Sequence, residues 1–343
     1  MEKIKLGIIG LGRLGRLHAE NIYYKINNAE LTAICSTIQE EIDIVKLEMN
    51  PKYAVLDYKE LINIDEIDGI IIASNSAFHC EMICEAAEAG VKNIFCEKPL
   101  GMTLEEIDLI KERIKNYGVN IFQIGFNRRF DKSLIKMKEQ IDKGFIGKPI
   151  LIKMINRDPR TMAEYIIKFS PTSGGLVFDM LTHDYDLARW LIDSDAETVF
   201  GMGGVFAYEG LKDVNDIDNC TISLRFENGV MGLMETSRNC TYGYHVEIEV
   251  YGTEGSVRMG TLPNKDRIIS LNKDGASIEC TEWFYEYWGP TFEAEIKHFV
   301  DCIKSNNQPI VGLIDGYKAV EWAFKAKEAV DEFKVINLKE EKI

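Results

Sequence analysis

Residues 5–24 read KLGIIGLGRLGRLHAENIYY, and this stretch decides the fold. A short continuous apolar run leads into Gly10-Leu11-Gly12-Arg13-Leu14-Gly15, and a helix-like segment follows. Glycines at that spacing permit a tight turn and let a pyrophosphate approach the backbone at a helix N-terminus. A lone GxGxxG is a weak signal, but here it closes a first strand and opens a first helix, the context a dinucleotide needs. The expected cofactor contacts in the loop are Gly10, Leu11, Gly12, Arg13 and Leu14.

Working outward, apolar runs at 5–10, 31–35, 69–74, 93–97 and 119–125 alternate with amphipathic stretches at 13–27, 38–49, 76–89 and 103–117. Continuous rather than alternating apolar strands predict burial on both faces, hence a parallel sheet covered by helices. Thr103 and Glu106 form a capping box, and Gly90 ends the helix before it. After a bridging helix near 129–143 the rhythm changes. Strand-like segments at 150–156, 197–206, 219–226, 230–237, 245–251 and 267–272 follow, with a turn at Glu227-Asn228-Gly229 and a helix at about 176–192. Helices return at 292–305 and 315–333. The fold class is α/β: a Rossmann dinucleotide-binding domain over 1–126, then an α/β domain on a mainly antiparallel sheet over 127–343.

The totals exclude several classes. Of 343 residues 46% are hydrophobic and 28% charged, ordinary for a globular chain, and the net charge is −15. Phosphate backbones and anionic lipid surfaces call for clustered Lys and Arg, so neither nucleic acid nor membrane is an expected partner. No apolar run approaches the roughly 20 residues of a bilayer span, and the N-terminus enters a strand without a signal-like segment; the expected location is cytoplasmic. The eight cysteines form no CxxC pair and are expected to be small buried side chains in a reducing compartment.

Three further stretches carry candidate chemistry. The second strand, which commonly ends in an acid for the ribose 2′-hydroxyl, here ends Cys35-Ser36-Thr37. Ser36 and Thr37 could meet a 2′-hydroxyl or a 2′-phosphate; no arginine follows closely, and Glu40 and Glu41 would repel phosphate. The cofactor reading therefore leans to NAD, with NADP open. Glu97-Lys98-Pro99 lies just after a strand, at the carboxyl edge where ligands of such sheets bind. Finally, 174–190 reads GGLVFDMLTHDYDLARW. Asp179 and His183 fall one turn apart on a helix, with Asp186 in line, either as a solvated stripe or as a reactive one.

Taken together and in order, the glycine loop, Glu97-Lys98-Pro99, GFNRRFD at 125–131, RDP at 157–159 and GG-x₃-D-x₃-H-D-x-D at 174–186 resemble the glucose–fructose oxidoreductase/inositol dehydrogenase/MocA family over nearly the whole chain. Within it the motifs are most similar to those of bacterial inositol 2-dehydrogenases. The resemblance implies an open C-terminal sheet through which copies assemble as a homo-oligomer, a tetramer or dimer. It implies that Lys98 contacts substrate and nicotinamide and forms a catalytic triad with Asp179 and His183. It implies cofactor contacts from Ser74, Asn75, Glu97 and Lys98, and a reach of Asn127 toward cofactor or substrate. Polyol contacts are expected from the sheet side, with Arg157, Asn239, Tyr242 and Tyr244 as candidates; ordinary strand packing is the alternative for the tyrosines. Arg128 and Arg129 either serve the site or make ion pairs between domains, and His79 either caps or packs.

The expected activity is NAD(P)-dependent oxidation of a secondary hydroxyl on a cyclic polyol or sugar, an inositol first. A neutral histidine suits proton removal, an aspartate one turn away stabilises the imidazolium, and a fixed ammonium stabilises the developing alkoxide. Asp186 would bind a substrate hydroxyl or play a structural part. No metal is required. Two rivals stay open: a glycosidase that retains its cofactor, and a nucleotide-sensing protein on the same scaffold.

Overall fold

The computed structural model describes residues 2–260 and 264–338. The chain folds as two compact units: Met1–Phe130 with Pro290–Val320, and Asp131–Gly289 with Glu321–Ile343.

The first unit is built on six parallel strands: β1 (Ile4–Ile9), β2 (Ala29–Cys35), β3 (Tyr53–Val55), β4 (Gly69–Ile72), β5 (Asn93–Glu97) and β6 (Ile121–Gly125). Their order is β3-β2-β1-β4-β5-β6, the doubly wound arrangement of a dinucleotide-binding sheet. The strands are near-continuous apolar runs because helices cover both faces; Ile70, Ile71 and Ile72 are all fully buried. The order reverses between β1 and β4, so the crevice at their carboxyl ends lies where Gly10 and Ser74 meet. Thr103 caps its helix as expected, Oγ1 accepting from the Glu106 N–H at 3.1 Å, while Glu106 Oε2 reaches back one residue further, to the Met102 N–H at 2.6 Å.

The sequence reading placed one boundary at 126/127, but the chain comes back. Pro290–Val320 belongs with the first unit. The reason is apolar: Ile296, Phe299 and Val300, on the helix Phe284–Ser305, are sealed into the same core as Leu6, Ile8, Leu31, Phe95 and Ile121. Each such side chain contributes about 1.5–3 kcal/mol by leaving water.

The second unit carries a seven-stranded sheet of β7 (Pro149–Pro159), β8 (Ala196–Gly204), β9 (Asn219–Phe226), β10 (Met231–Cys240), β11 (His245–Gly252) and β12 (Ser256–Met259), closed at one edge by β15 (Ile336–Asn337). The order is β12-β11-β7-β10-β9-β8-β15, and β7 with β10 is its one parallel pair. A separate hairpin joins β13 (Asn264–Asn272) and β14 (Gly275–Cys280). Burial alternates along β9, as expected for a sheet covered on one face. On that face Trp322 meets Tyr185 and Phe226 edge-on.

The helix read at 176–192 is two, Gly175–Asp179 and Leu181–Ile192, and a third, Ala163–Ser173, precedes them. Gly174 and Gly175 both have φ of +78°, a left-handed corner that ends one helix and starts the next.

Candidate active site

The three glycines of the loop serve different purposes. Gly10 has φ +92°, and a Cβ there would lie 2.7 Å from the Ala73 carbonyl oxygen at the end of β4. A Cβ on Gly15 would lie 1.9 Å from the Gly10 carbonyl oxygen. Both glycines are demanded by the fold itself. Gly12 is different: nothing stands within 4 Å of where its Cβ would be. Gly12 caps the helix Arg13–Tyr24, whose first turn carries no acid, so its N–H groups and dipole suit an anion. The open cradle at Gly12 fits a dinucleotide pyrophosphate. Leu11 is buried in the core, while Arg13 is exposed and Leu14 half-buried.

At the tip of β2, Ser36 is buried, and its hydroxyl donates to Glu41 Oε2 at 2.6 Å while accepting from the Ile38 N–H at 3.1 Å. Glu41 stands on the helix Gln39–Met49. An acid is therefore held at the strand end after all, five residues late and through the serine. Thr37 is exposed beside it.

Along the carboxyl edge, Asn75 accepts from the Ala77 N–H at 3.0 Å, and Ser74 is half-buried in the same turn. His79 is buried, with Nδ1 2.8 Å from the Pro99 carbonyl oxygen and Nε2 3.3 Å from that of Ser74. Burial holds its imidazole below the usual histidine range. It packs, and ties the Ser74 turn to the turn at Lys98; the Lys98–Pro99 peptide is cis. Glu97 is buried, its Oε1 2.6 Å from His18 Nε2. Gly125 makes room for it, since a Cβ there would lie 2.7 Å from Glu97 Oε2. Lys98 is half-buried. Asn127 is buried and donates from Nδ2 to Thr291 Oγ1 at 2.8 Å. Arg129 pairs with Asp315 at 2.8 Å, an ion pair within the first unit rather than between domains.

In the second unit Asp179 ends one short helix and His183 lies in the first turn of the next, Leu181–Ile192. Met180 between them keeps helical dihedrals and donates its N–H to the Leu176 carbonyl at 3.1 Å, so the two stay one turn apart. Both are half-buried. Arg238, fully buried, reaches Asp179 Oδ2 at 3.3 Å with one nitrogen and Asp216 Oδ2 at 3.1 Å with another. Asp216 in turn accepts from Ser170 Oγ at 2.6 Å and from the Leu176 N–H at 2.9 Å. The second glycine of the GG pair has its explanation here: a Cβ on Gly175 would lie 2.5 Å from Asp216 Oδ1. Asp184 accepts from Asn156 Nδ2 at 3.0 Å, and Asp186 is buried with it. The stripe is not a solvated face.

The sheet-side candidates sit elsewhere. Arg157 follows Asn156 on β7 and points from the opposite face of the sheet, away from the side on which Asn156 meets Asp184. Its Nε donates to Glu235 Oε1 at 3.0 Å and its Nη1 to Tyr242 Oη at 2.7 Å; Tyr242 Oη is 2.8 Å from His245 Nδ1. Tyr244 is buried and accepts from Trp288 Nε1 at 2.8 Å, the packing alternative. Asn239 Oδ1 accepts from Tyr208 Oη at 3.3 Å.

Sequence reasoning missed Arg238 and Asp216, which hold Asp179, and missed the hold of Ser36 on Glu41. An arginine inside a strand was the available signal for the first. Nothing in the sequence distinguishes Asp216 from a loop acid.

Residues 4–126 match the oxidoreductase family with an NAD-binding Rossmann fold, and residues 134–258 match the GFO/IDH/MocA C-terminal domain. The myo-inositol 2-dehydrogenase of Thermotoga maritima is 33% identical over 98% of this chain and 99% of its own. The NAD⁺-dependent scyllo-inositol 2-dehydrogenase of Bacillus subtilis is 35% identical over 91% of this chain and 90% of its own. The crystal structure of the scyllo-inositol dehydrogenase of Lactobacillus casei with bound NAD(H) and scyllo-inositol superposes with a TM-score of 0.93 at 33% identity, covering 98% of this chain and 99% of that one. The chain belongs to the GFO/IDH/MocA family of oxidoreductases.

Proposed function

We propose that the protein is an NAD-dependent dehydrogenase that oxidises a secondary hydroxyl of an inositol or a closely similar cyclic polyol. The substrate class is supported by near full-length similarity to proteins named for inositol oxidation. The reaction is supported by one observation above all: the cradle at Gly12 is open to a ligand the fold itself does not supply.

Bound NAD supplies the hydride acceptor. The chain supplies the rest. The Gly10–Gly15 loop and the N-terminus of Arg13–Tyr24 would hold the pyrophosphate, and Glu41, oriented by Ser36, would accept from the ribose hydroxyls and repel a 2′-phosphate. Ser74, Asn75 and Glu97-Lys98 line the same edge. As the carbinol hydrogen leaves as hydride, the hydroxyl proton passes to the His183 imidazole, and the C–O bond becomes a carbonyl. Asp179, fixed by Arg238, favours the imidazolium so formed, and the Lys98 ammonium stabilises negative charge on the substrate oxygen. Asn127, Arg157 and Tyr242 are already bonded to Thr291, Glu235 and His245 respectively, so a polyol would have to compete for them.

The sheet face that carries Arg157 also exposes Met231, Leu233 and Tyr251, which supports assembly into a dimer or tetramer; light scattering checks it. The function itself is tested by following nicotinamide reduction while NAD or NADP is offered with myo-, scyllo- and chiro-inositol and glucose. Turnover on an inositol with NAD is expected. Binding of NAD without turnover on any polyol would overturn the reading.

A further inference from the structure

Beside Lys98, inside the first unit, lies a polar cluster of which the reaction above draws only on Glu97, at the cofactor edge, and leaves His18 and Glu295 without a part. His18, Glu97 and Glu295 are all buried, and their ligand-type atoms lie within 4.8 Å of one another. Glu97 has a nitrogen partner at 2.6 Å, His18 Nε2, and a carboxylate-sized space over Gly125. Glu295, one turn after Thr291 on the helix Phe284–Ser305, is fully buried, and neither of its oxygens has a hydrogen-bond partner among the described residues. The aromatic rings of Phe95 and Phe292 stand edge-on to His18 at 5.6 and 6.2 Å, so the cluster is walled by hydrocarbon. Two carboxylates cannot both ionise at that spacing in that medium, and the one without donors is the one that keeps the proton. The 2.6 Å contact between His18 and Glu97 is a direct hydrogen bond, which leaves no place between those two atoms for a metal ion.

We propose that Glu295 is a positioning residue that holds a proton, so that no second carboxylate charge faces Glu97, which stays clamped between His18 and Gly125 and fixes the turn presenting Lys98. Burial, and then the adjacent Glu97 carboxylate, push the Glu295 carboxyl well above the usual range, in keeping with this geometry. The groups facing it are Glu97 and His18; when Glu295 loses its proton a second negative charge faces Glu97 and drives the clamp apart. The functional part rests on the reading of Lys98 as a substrate-facing residue.

The experiment is infrared spectroscopy of the holoenzyme at neutral pH, wild type against Glu295→Gln. A protonated-carboxyl C=O band present in wild type and lost in E295Q is expected. Its absence, or a stoichiometric bound cation by metal analysis, overturns the proposal. The linked stability test has a definite sign. A raised folded-state pKa means the native state keeps a proton that the unfolded chain gives up, so the contribution of Glu295 to wild-type stability is lost as pH rises above the ordinary carboxyl range, and the Tm of E295Q should gain on that of wild type with rising pH. The alkaline loss of kcat should move to higher pH in E295Q, where position 295 has no proton to lose. A pH-independent difference in both readouts would reduce Glu295 to a packing residue. If Lys98→Ala leaves turnover intact while the infrared band is present, the dehydrogenase reading of Lys98 has failed and the protonation has not.

Discussion

The candidate chemistry of the two units is made of different materials. In the first unit it is backbone: a positive-φ glycine, a glycine pressed on a carbonyl, a helix N-terminus, a strand edge. In the second it is charge: Asp179 and Asp216 share the buried Arg238, and every acid of the 174–186 motif beyond Asp179 is packed inside. Backbone geometry leaves a strict residue pattern, because a Cβ either fits or does not. A charge network leaves a looser one, because the partners come from distant parts of the chain.

Substitutions can break or sharpen that contrast. The largest effect is expected from His183→Ala, which should lower kcat by about 10²–10⁴ if the imidazole carries the proton, with Tm little changed. Steady-state kinetics with saturating NAD and polyol will show it, and an unchanged kcat removes His183 from the chemistry. The next contrast lies between two acids on one arginine. Asp216→Asn should cost about 3 kcal/mol or more of stability in urea denaturation, because it leaves Arg238 buried and under-compensated. Asp179→Asn, at the more exposed end, should instead spare stability and lower kcat. Equal losses of stability would make Asp179 structural too.

On the backbone side, Gly12→Val should leave the circular dichroism melt within about 1 kcal/mol of wild type while raising the KM for NAD by at least about tenfold, whereas Gly15→Ala should destabilise the fold outright. Glu41→Gln should raise the NADP-to-NAD ratio of kcat/KM by about tenfold, a 1.4 kcal/mol change in discrimination; no change would return the strand end to Ser36 alone. The smallest effect concerns pH. His79, His245 and His298 are all held below the usual histidine range, chiefly by burial. The unfolded chain therefore takes up protons first at these positions, and their contribution to stability falls as pH drops below about 6.5. Replacing His79, the most buried of the three, with Asn should flatten that slope in a series of thermal melts.

What was legible followed the same division. The glycine fingerprint, the continuous apolar strands and the helix cap at Thr103 specify local geometry, and each is found where the spacing puts it. The reading of 176–192 as one helix failed at Met180 and Gly174, because a left-handed glycine pair looks like a helix start whether or not another helix precedes it. The helix 163–173 was hidden by Pro171, which reads as a breaker yet sits inside it. Ser36 reads as a missing acid because Glu41 is brought to the strand end by a side-chain hydrogen bond, which no spacing rule encodes. Arg157 and Asn156 adjoin in sequence but belong to opposite faces of a strand, which is why Asn156 meets Asp184 while Arg157 meets Glu235 and Tyr242, a division that adjacency in the chain does not show.

The return of Pro290–Val320 to the first unit has a consequence for how this nucleotide-binding half can be cut out or inherited. A fragment ending at Phe130 would keep all six strands and every residue of the glycine loop, yet carry an open seam where Ile296, Phe299 and Val300 belong. It would also lack Thr291 and Glu295, the neighbours of Asn127 and of the His18–Glu97 pair. The half is thus not a cassette that recombination could exchange in a single contiguous piece; any viable exchange has to bring the tail along with the head.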